Sequence, residues 1–394
     1  MPHLIEFLSR HDRPDIQFEA AWALASLVYT GSSQHAQAVD AVALGARAMG
    51  AIAPLINLIS SENANVAEQA VRTLGTIGSD GRDLRDAVLG NGCLELLLTY
   101  VSTHTPVTLL RSITWTIRRL CYEICLLRSV SPALSQRVQH QDREVVSNAC
   151  WALSNITDTR RNIPYDKIQA VIDAGIVPTM IRLLTSDDTS VLTAALCVIS
   201  NIAYGAQSQT QFVIYQGCLA AFASLLKHHK NSIQKETVLI IASVTVSRRQ
   251  KQIQAFIDNG LIPPLIDFFA KGDFKSQKMA VQVIANLTSG GKMKQIEHCV
   301  ECGAIGPLCE MLAVKEAEVI TDILDAIIKI LQAAEESNQD GGICQMIEEA
   351  GGLDKIKLLQ NHKEKKVRTS ARRLIETYFS LLQRQRKTTC SVMA

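Results

Sequence analysis

Residues 175–203 open with Gly175-Ile176-Val177-Pro178 and run on into Met180-Ile181-Arg182-Leu183-Leu184. A polar turn, Ser186-Asp187-Asp188, then leads into the long apolar stretch Val191–Ala203. A glycine can end one short helix in a left-handed cap, and a proline just beyond it suits the first turn of the next. The apolar run makes a short second helix, and Val191–Ala203 a longer third one.

The same succession returns along the chain. It shows at Gly50-Ala51-Ile52-Ala53-Pro54, Gly92-Cys93-Leu94, Gly217-Cys218-Leu219 and Gly260-Leu261-Ile262-Pro263. It shows again at Gly303-Ala304-Ile305-Gly306-Pro307 and Gly351-Gly352-Leu353. Most of these are spaced by roughly 42 to 48 residues, the range of armadillo and HEAT repeats. Third helices are expected over Phe18–Val28, Val66–Ile77, Leu109–Cys121, Val145–Thr157, Val191–Ala203, Ile233–Val246, Ser276–Thr288 and Val319–Ala333. Three stacked helices per repeat bury a core that no repeat could bury alone. The expected fold is therefore all-α, a right-handed α-solenoid of armadillo repeats. It is expected as one solenoid over residues 1–380, of about eight to nine repeats with the first incomplete, followed by a disordered basic tail over 381–394.

Two departures from the period stand out. Extra Ala/Val-rich sequence, Ala41-Val42-Ala43-Leu44-Gly45-Ala46, lies between Gly31 and Gly50. Between Trp115 and Trp151 the interval shrinks, and Ser129-Val130-Ser131-Pro132 stands where a full first helix belongs. Distorted packing is expected at that joint.

The chain is 47% hydrophobic but only 5% aromatic, so its core is expected to rest on Leu, Ile, Val and Ala. A net charge of +2 is too near zero to argue for nucleic acid or membrane partners. No apolar run approaches the roughly 20 residues of a membrane span, and residues 1–20 carry no secretory signal. The eleven cysteines are scattered on helical faces and read as buried small hydrophobes in a reducing compartment. Cys299 and Cys302, with His298 beside them, form one C-x-x-C, but no second ligand pair is near, so no metal is expected. No nucleophile with base and orienter and no phosphate loop is visible. Neither enzymatic activity nor a cofactor is expected.

At the third helices the sequence becomes specific. Phe18-Glu19-Ala20-Ala21-Trp22-Ala23-Leu24 and Asn148-Ala149-Cys150-Trp151-Ala152-Leu153-Ser154-Asn155 resemble the signature of the importin-α family, armadillo adaptors that carry nuclear localisation signals. Asp166–Gly175, Ser232-Ile233-Gln234-Lys235-Glu236, Leu287-Thr288-Ser289-Gly290-Gly291 and Ile347–Ile356 match further. The resemblance runs from residue 1 to about 380 and is closest to the oocyte and early-embryo vertebrate type. It implies a nuclear import adaptor, found in cytoplasm and nucleus, whose partners are the basic signal peptides of cargo.

The chemistry of such a site follows from residue types. Trp and Asn four apart lie one turn apart on one helix face. An Asn amide both donates and accepts, so it can hold an extended backbone whatever its sequence. Indoles make slots where Lys stems pack and ammonium groups gain cation–π attraction. Acidic rims then select basic side chains.

Here that ladder is eroded. Its successive pairs are Trp22/Ser26, Arg72/Thr76, Trp115/Arg119, Trp151/Asn155, Cys197/Asn201, Leu239/Ser243 and Gln282/Asn286. Of these only Trp151/Asn155 is intact. The resemblance places Asp80 as the acid that receives an anchoring Lys and Gln69 as a neighbouring polar contact. It makes Glu236 a rim acid of a second groove, with Asn201 and Asn286 as backbone clamps and Ser243 at the eroded place between them. Met279, Asn148 and Gln207 stand where acids are usual. The losses sum to several kcal/mol, roughly a hundred- to a thousandfold in affinity. Residual binding is expected to shift to the second groove, where no Arg occupies a ladder position. The alternative reading is a degenerate scaffold for a different extended peptide.

The ends depart as well. Relatives begin with a basic importin-β-binding segment and a first repeat, whereas Pro2-His3-Leu4-Ile5-Glu6-Phe7-Leu8 matches the middle of a repeat. This chain by itself is therefore not expected to bind importin-β or to be autoinhibited.

Overall fold

The structure is a computed structural model that describes residues 2–31, 49–101, 104–121, 127–158, 165–337 and 339–380. Every element among them is helical, and no strand occurs among the described residues. The chain divides into two units, Met1–Gly205 and Ala206–Ala394. In the first, the long helices are Pro14–Gly31, Ala64–Ser79, Val107–Leu120, Arg143–Thr157 and Thr189–Ala203, each packed on the next. In the second they are Asn231–Thr245, Phe274–Gly290, Ala317–Glu336 and Lys365–Leu374, packed likewise in order. The last runs on into a π-helical turn, Ile375–Phe379.

At four of the long helices a side chain of the preceding polar turn caps the start. Asn63 accepts from the Asn65 and Val66 N–H groups, Asp142 from Val145, Asp188 from Ser190 and Val191, and Asp273 from Ser276. Each satisfies amide donors that the first helical turn leaves open. The recurring glycine sets the other register. Gly92, Gly175, Gly217, Gly260, Gly303 and Gly351 all take φ between 65° and 89°. Gly50 does not follow the expectation: it lies inside a helix over 49–58, with ordinary backbone. Pro178 and Pro263 sit in the first turn of the helices they open.

The joint near residue 130 also differs from expectation. A helix does form there, Leu127–Arg137, with Pro132 inside it. Proline removes one bond back to the carbonyl of residue 128, but Val130 and Leu134, one turn apart, are both fully buried and hold the segment. The joint is nonetheless imperfect, since buried Ser131 Oγ and Asn148 Nδ2 find no hydrogen-bond partner among the described residues. The stretch 41–46 and the tail 381–394 lie outside the described residues.

Small residues let the long helices of the first unit approach closely. A Cβ on Gly75 would stand 2.6 Å from Trp115 Cζ3, and one on Gly78 would stand 2.5 Å from Leu120 Cδ2. The closeness lets side chains stitch one long helix to the previous one. Thr73 Oγ1 donates to Ala21 O (3.0 Å) and Thr116 Oγ1 to Val71 O (2.9 Å). Ion pairs add a second set of ties, from three of the long helices to the N-cap residue of the next. These are Arg111–Asp142 (2.5 Å), Lys235–Asp273 (2.7 Å) and Lys278–Glu316 (2.6 Å). The Lys235 ammonium, with the Ser276 hydroxyl and N–H, holds the Asp273 carboxyl well below the usual carboxylate range.

In the second unit Arg248 is held at φ 51, a strained conformation for a residue with a Cβ. A Cβ on Gly290 would run into the Arg248 carbonyl oxygen. Gly290→Ala is expected to lower stability by about 1–3 kcal/mol, read as a drop in the urea midpoint. An unchanged midpoint would mean that this contact does not constrain the fold.

Candidate peptide groove

Three long helices of the first unit, Pro14–Gly31, Ala64–Ser79 and Val107–Leu120, line an open groove of about 1560 Å³. Trp22, Ser26, Gln69, Arg72, Thr76 and Trp115 all face it. The structure thus brings the first three ladder pairs together, except that Arg119 is not among the lining residues. Trp22 is 55% exposed, and no cation lies over its ring among the described residues. A smaller cavity of about 210 Å³ adjoins Arg72 and Trp115, between Glu68, Thr108, Arg111, Ser112 and Glu144.

The other indoles are already occupied. Arg119 Cζ sits 5.1 Å from the Trp115 ring centre, and Arg118 Cζ sits 5.2 Å from that of Trp151. Both fall within cation–π range. The chain's own guanidinium groups therefore fill the slots where Lys stems of a ligand would pack. Burial and the neighbouring Arg119 charge push the Arg118 guanidinium below its usual value.

The second residue of each pair is also engaged. Ser26, Thr76 and Ser243 donate their hydroxyls to the carbonyl four residues back, at 3.0, 3.0 and 3.1 Å. Asn155 Nδ2 instead donates to Arg118 O (3.1 Å), and Asn201 Nδ2 donates to Ser154 O (2.9 Å) and Thr157 Oγ1 (3.1 Å). Those carbonyls belong to last helical turns, where intrahelical backbone N–H donors run out. Asn286 Nδ2 donates to Thr245 Oγ1 at 3.3 Å.

Asn201 is only 5% exposed and Asn286 1%, with their amides turned inward to a neighbouring helix. Through these Nδ2 donors both tie neighbouring long helices together. Asn201 belongs to the first unit, whereas Glu236, Ser243 and Asn286 belong to the second. Glu236 is half-buried.

Asp80 contrasts with these. It follows the Ala64–Ser79 helix, its own N–H donating to Ile77 O (3.2 Å), and its side chain reaches solvent. Among the described residues no cation lies within ion-pair distance of it. The protein atoms around it still push its carboxyl above the ordinary aspartate value. Gln69 Nε2 donates to Thr73 Oγ1 (3.3 Å), which holds that amide at the groove wall.

Among the described residues no three His, Cys, Asp or Glu side chains are placed to hold a metal ion. Cys302 Sγ lies 3.7 Å from His298 Nε2, and burial pushes the Cys299 thiol up to about 12. No helix among the described residues is long and apolar enough to cross a membrane.

Comparison with known proteins bears on this geometry. The chain is 40% identical over 390 residues to importin subunit alpha-1a of Oryza sativa subsp. japonica, covering 96% of this chain and 72% of that protein. The chain belongs to the importin-α family. The model described as Armadillo/beta-catenin-like repeat matches residues 1–29, 47–79, 124–158, 164–204 and 249–289. The one described as Atypical Arm repeat matches residues 342–384. A crystal structure of an engineered protein aligns with a TM-score of 0.78 at 25% identity, covering 95% of this chain and 87% of that one. A designed armadillo repeat protein in complex with the peptide (KR)4 aligns with a TM-score of 0.53 at 30% identity, covering 63% and 98%.

In this importin-α chain the groove also contains residues that ladder spacing does not point to. Asp15, Glu19 and Glu68 line the larger cavity, and Arg111 and Glu144 line the smaller. Glu68 and Arg111 each stand four residues before a ladder position, on the same helix face, and that spacing is the signal that could have found them. Arg118 carries no such signal, because the ring it covers belongs to the next long helix.

Proposed function

We propose that this chain is a nuclear import adaptor, acting in cytoplasm and nucleus, that binds the extended signal peptide of a cargo in the groove of its first unit. The observations that carry this reading are an exposed Trp22 in the groove and, at the end of the next long helix, an Asp80 carboxylate that has no counter-ion among the described residues. Lys side chains of one extended peptide supply both missing parts, an apolar stem for an indole and an ammonium for a carboxylate. The designed relative in complex with (KR)4 supports a basic peptide as the ligand class. Grip is expected to be weaker than that of an intact ladder, because Ser26, Thr76 and Arg119 offer no amide and two indoles are covered by Arg. Site residues in this reading are Trp22, Ser26, Gln69, Asp80, Trp115, Trp151 and Asn155.

A fluorescence titration with a bipartite basic peptide tests it. Asp80→Ala is expected to weaken binding about tenfold without loss of stability. Asn201→Ala should cost about 1–2 kcal/mol of stability, because its amide is spent inside the fold, and should change affinity little. The carboxylate must be charged to hold an ammonium, and its pKa lies above the ordinary aspartate value. Binding should therefore weaken on acidification sooner than an ordinary aspartate would dictate. Full binding by Asp80→Ala, with loss on Asn201→Ala, would move the site to the second groove and overturn this reading.

A further inference from the structure

We propose that the centre of the first-unit groove takes an acidic side chain of the bound peptide, held by Arg72 beside the Trp115 indole. The inference rests on the reading above that an extended peptide lies in this groove, and it specifies what that peptide carries in its middle.

Arg72 stands at a ladder position between two tryptophan-bearing helices and is exposed. Among the described residues its guanidinium makes no ion pair and no hydrogen bond. Its natural partner would be Glu68, one turn earlier on the same helix. Glu68 Oε1 instead accepts from Ser112 Oγ at 3.2 Å. The other cation lining the same cavity of about 210 Å³ is Arg111, which is taken by Asp142 at 2.5 Å and Glu144 at 3.6 Å. Arg72 is therefore the guanidinium of this cavity that makes no ion pair among the described residues, although Glu68 and Glu144 line the cavity with it.

The surroundings offer a Lys stem little to pack on and leave the Arg72 fork open to an anion. Arg119 covers the Trp115 ring, so a Lys stem finds no open indole face there. A carboxylate or phosphate entering the cavity meets the planar fork of Arg72, which suits two-point recognition of either group. Basic residues on either side of that anion can still use Trp22 and Asp80. The ligand is thus expected to be a basic peptide interrupted by one acidic residue.

Peptides of one length with identical basic ends test this, differing at the central residue as Lys, Glu or phosphoserine. A further peptide carries its Glu at one end instead. The central-Glu or phosphoserine peptide is expected to bind wild type about tenfold tighter than the central-Lys peptide. A lead for phosphoserine over Glu identifies the anion as phosphate, and parity or the reverse identifies it as carboxylate. Arg72→Gln should abolish the preference and Arg72→Glu should reverse it, with the circular dichroism spectrum unchanged. Glu68→Gln should keep or widen it. Equal or tighter binding of the central-Lys peptide to wild type overturns the inference but leaves the peptide groove standing. So does an equal gain from Glu placed at the end, which would mean that only total charge matters. Failure of every peptide to bind overturns both the inference and the function it rests on.

Discussion

Replacing Ser26, Thr76 and Arg119 with Asn and Arg72 with Trp in one chain is expected to tighten binding of a Lys-rich peptide roughly a hundredfold or more. Each new amide contributes on the order of 1 kcal/mol of net hydrogen bonding to the peptide backbone. The Arg72→Trp change adds an indole slot worth about 1 kcal/mol and removes a like charge. Arg119→Asn does more than add an amide, because it uncovers the Trp115 ring over which Arg119 now lies at 5.1 Å. Arg72 and Arg119 are exposed, Ser26 and Thr76 half-buried, and none of the four belongs to the buried core. Anisotropy titrations of wild type and variant at one salt concentration read the change. A gain below about fivefold would show that the first-unit groove is not limited by these four positions.

Phe256→Ala is expected to destabilise the second unit by about 3–5 kcal/mol. Phe256, Phe222 and Phe269 are fully buried, and they are among the largest fully buried side chains of the chain. Removing one leaves a cavity that short helices tied at both ends close only in part. Trp22, Trp115 and Trp151 all lie in the first unit. Tryptophan fluorescence therefore reports on that unit, and far-ultraviolet dichroism reports on both. Early loss of helix signal, ahead of the tryptophan transition, places the damage in the second unit. Coincident transitions at the wild-type midpoint would mean that Phe256 is not part of a tightly packed core.

The long helices were legible because their residues obey local rules. Val191–Ala203 was expected and Thr189–Ala203 is found; Val145–Thr157 was expected and Arg143–Thr157 is found. The caps that add the extra residues, Asp188 and Asp142, are turn-formers just upstream. Pro132 misled for the opposite reason. A local breaker was outweighed by burial of Val130 and Leu134, which spacing near the proline did not show. At the site, the ladder positions were legible from repeat spacing, but their state was not. Whether Asn201 faces solvent or a neighbour depends on how closely two helices lie, and its amide ends on Ser154 O of the preceding one. The cover over Trp151 comes from Arg118, thirty-three places earlier in the chain, and only packing unites them.

Cap positions such as Asp142, Asp188 and the left-handed Gly175 and Gly303 are not among the residues that line the groove, whereas the cap Asn63 is. One register writes the shape and another writes the grip. Edits to the second leave the first untouched, so a lineage can trade one cargo for another through a series of folded intermediates. Arg72 is such an edit: on the groove-facing side of a helix whose start is still fixed by Asn63, it changes what the groove attracts without changing where the groove is.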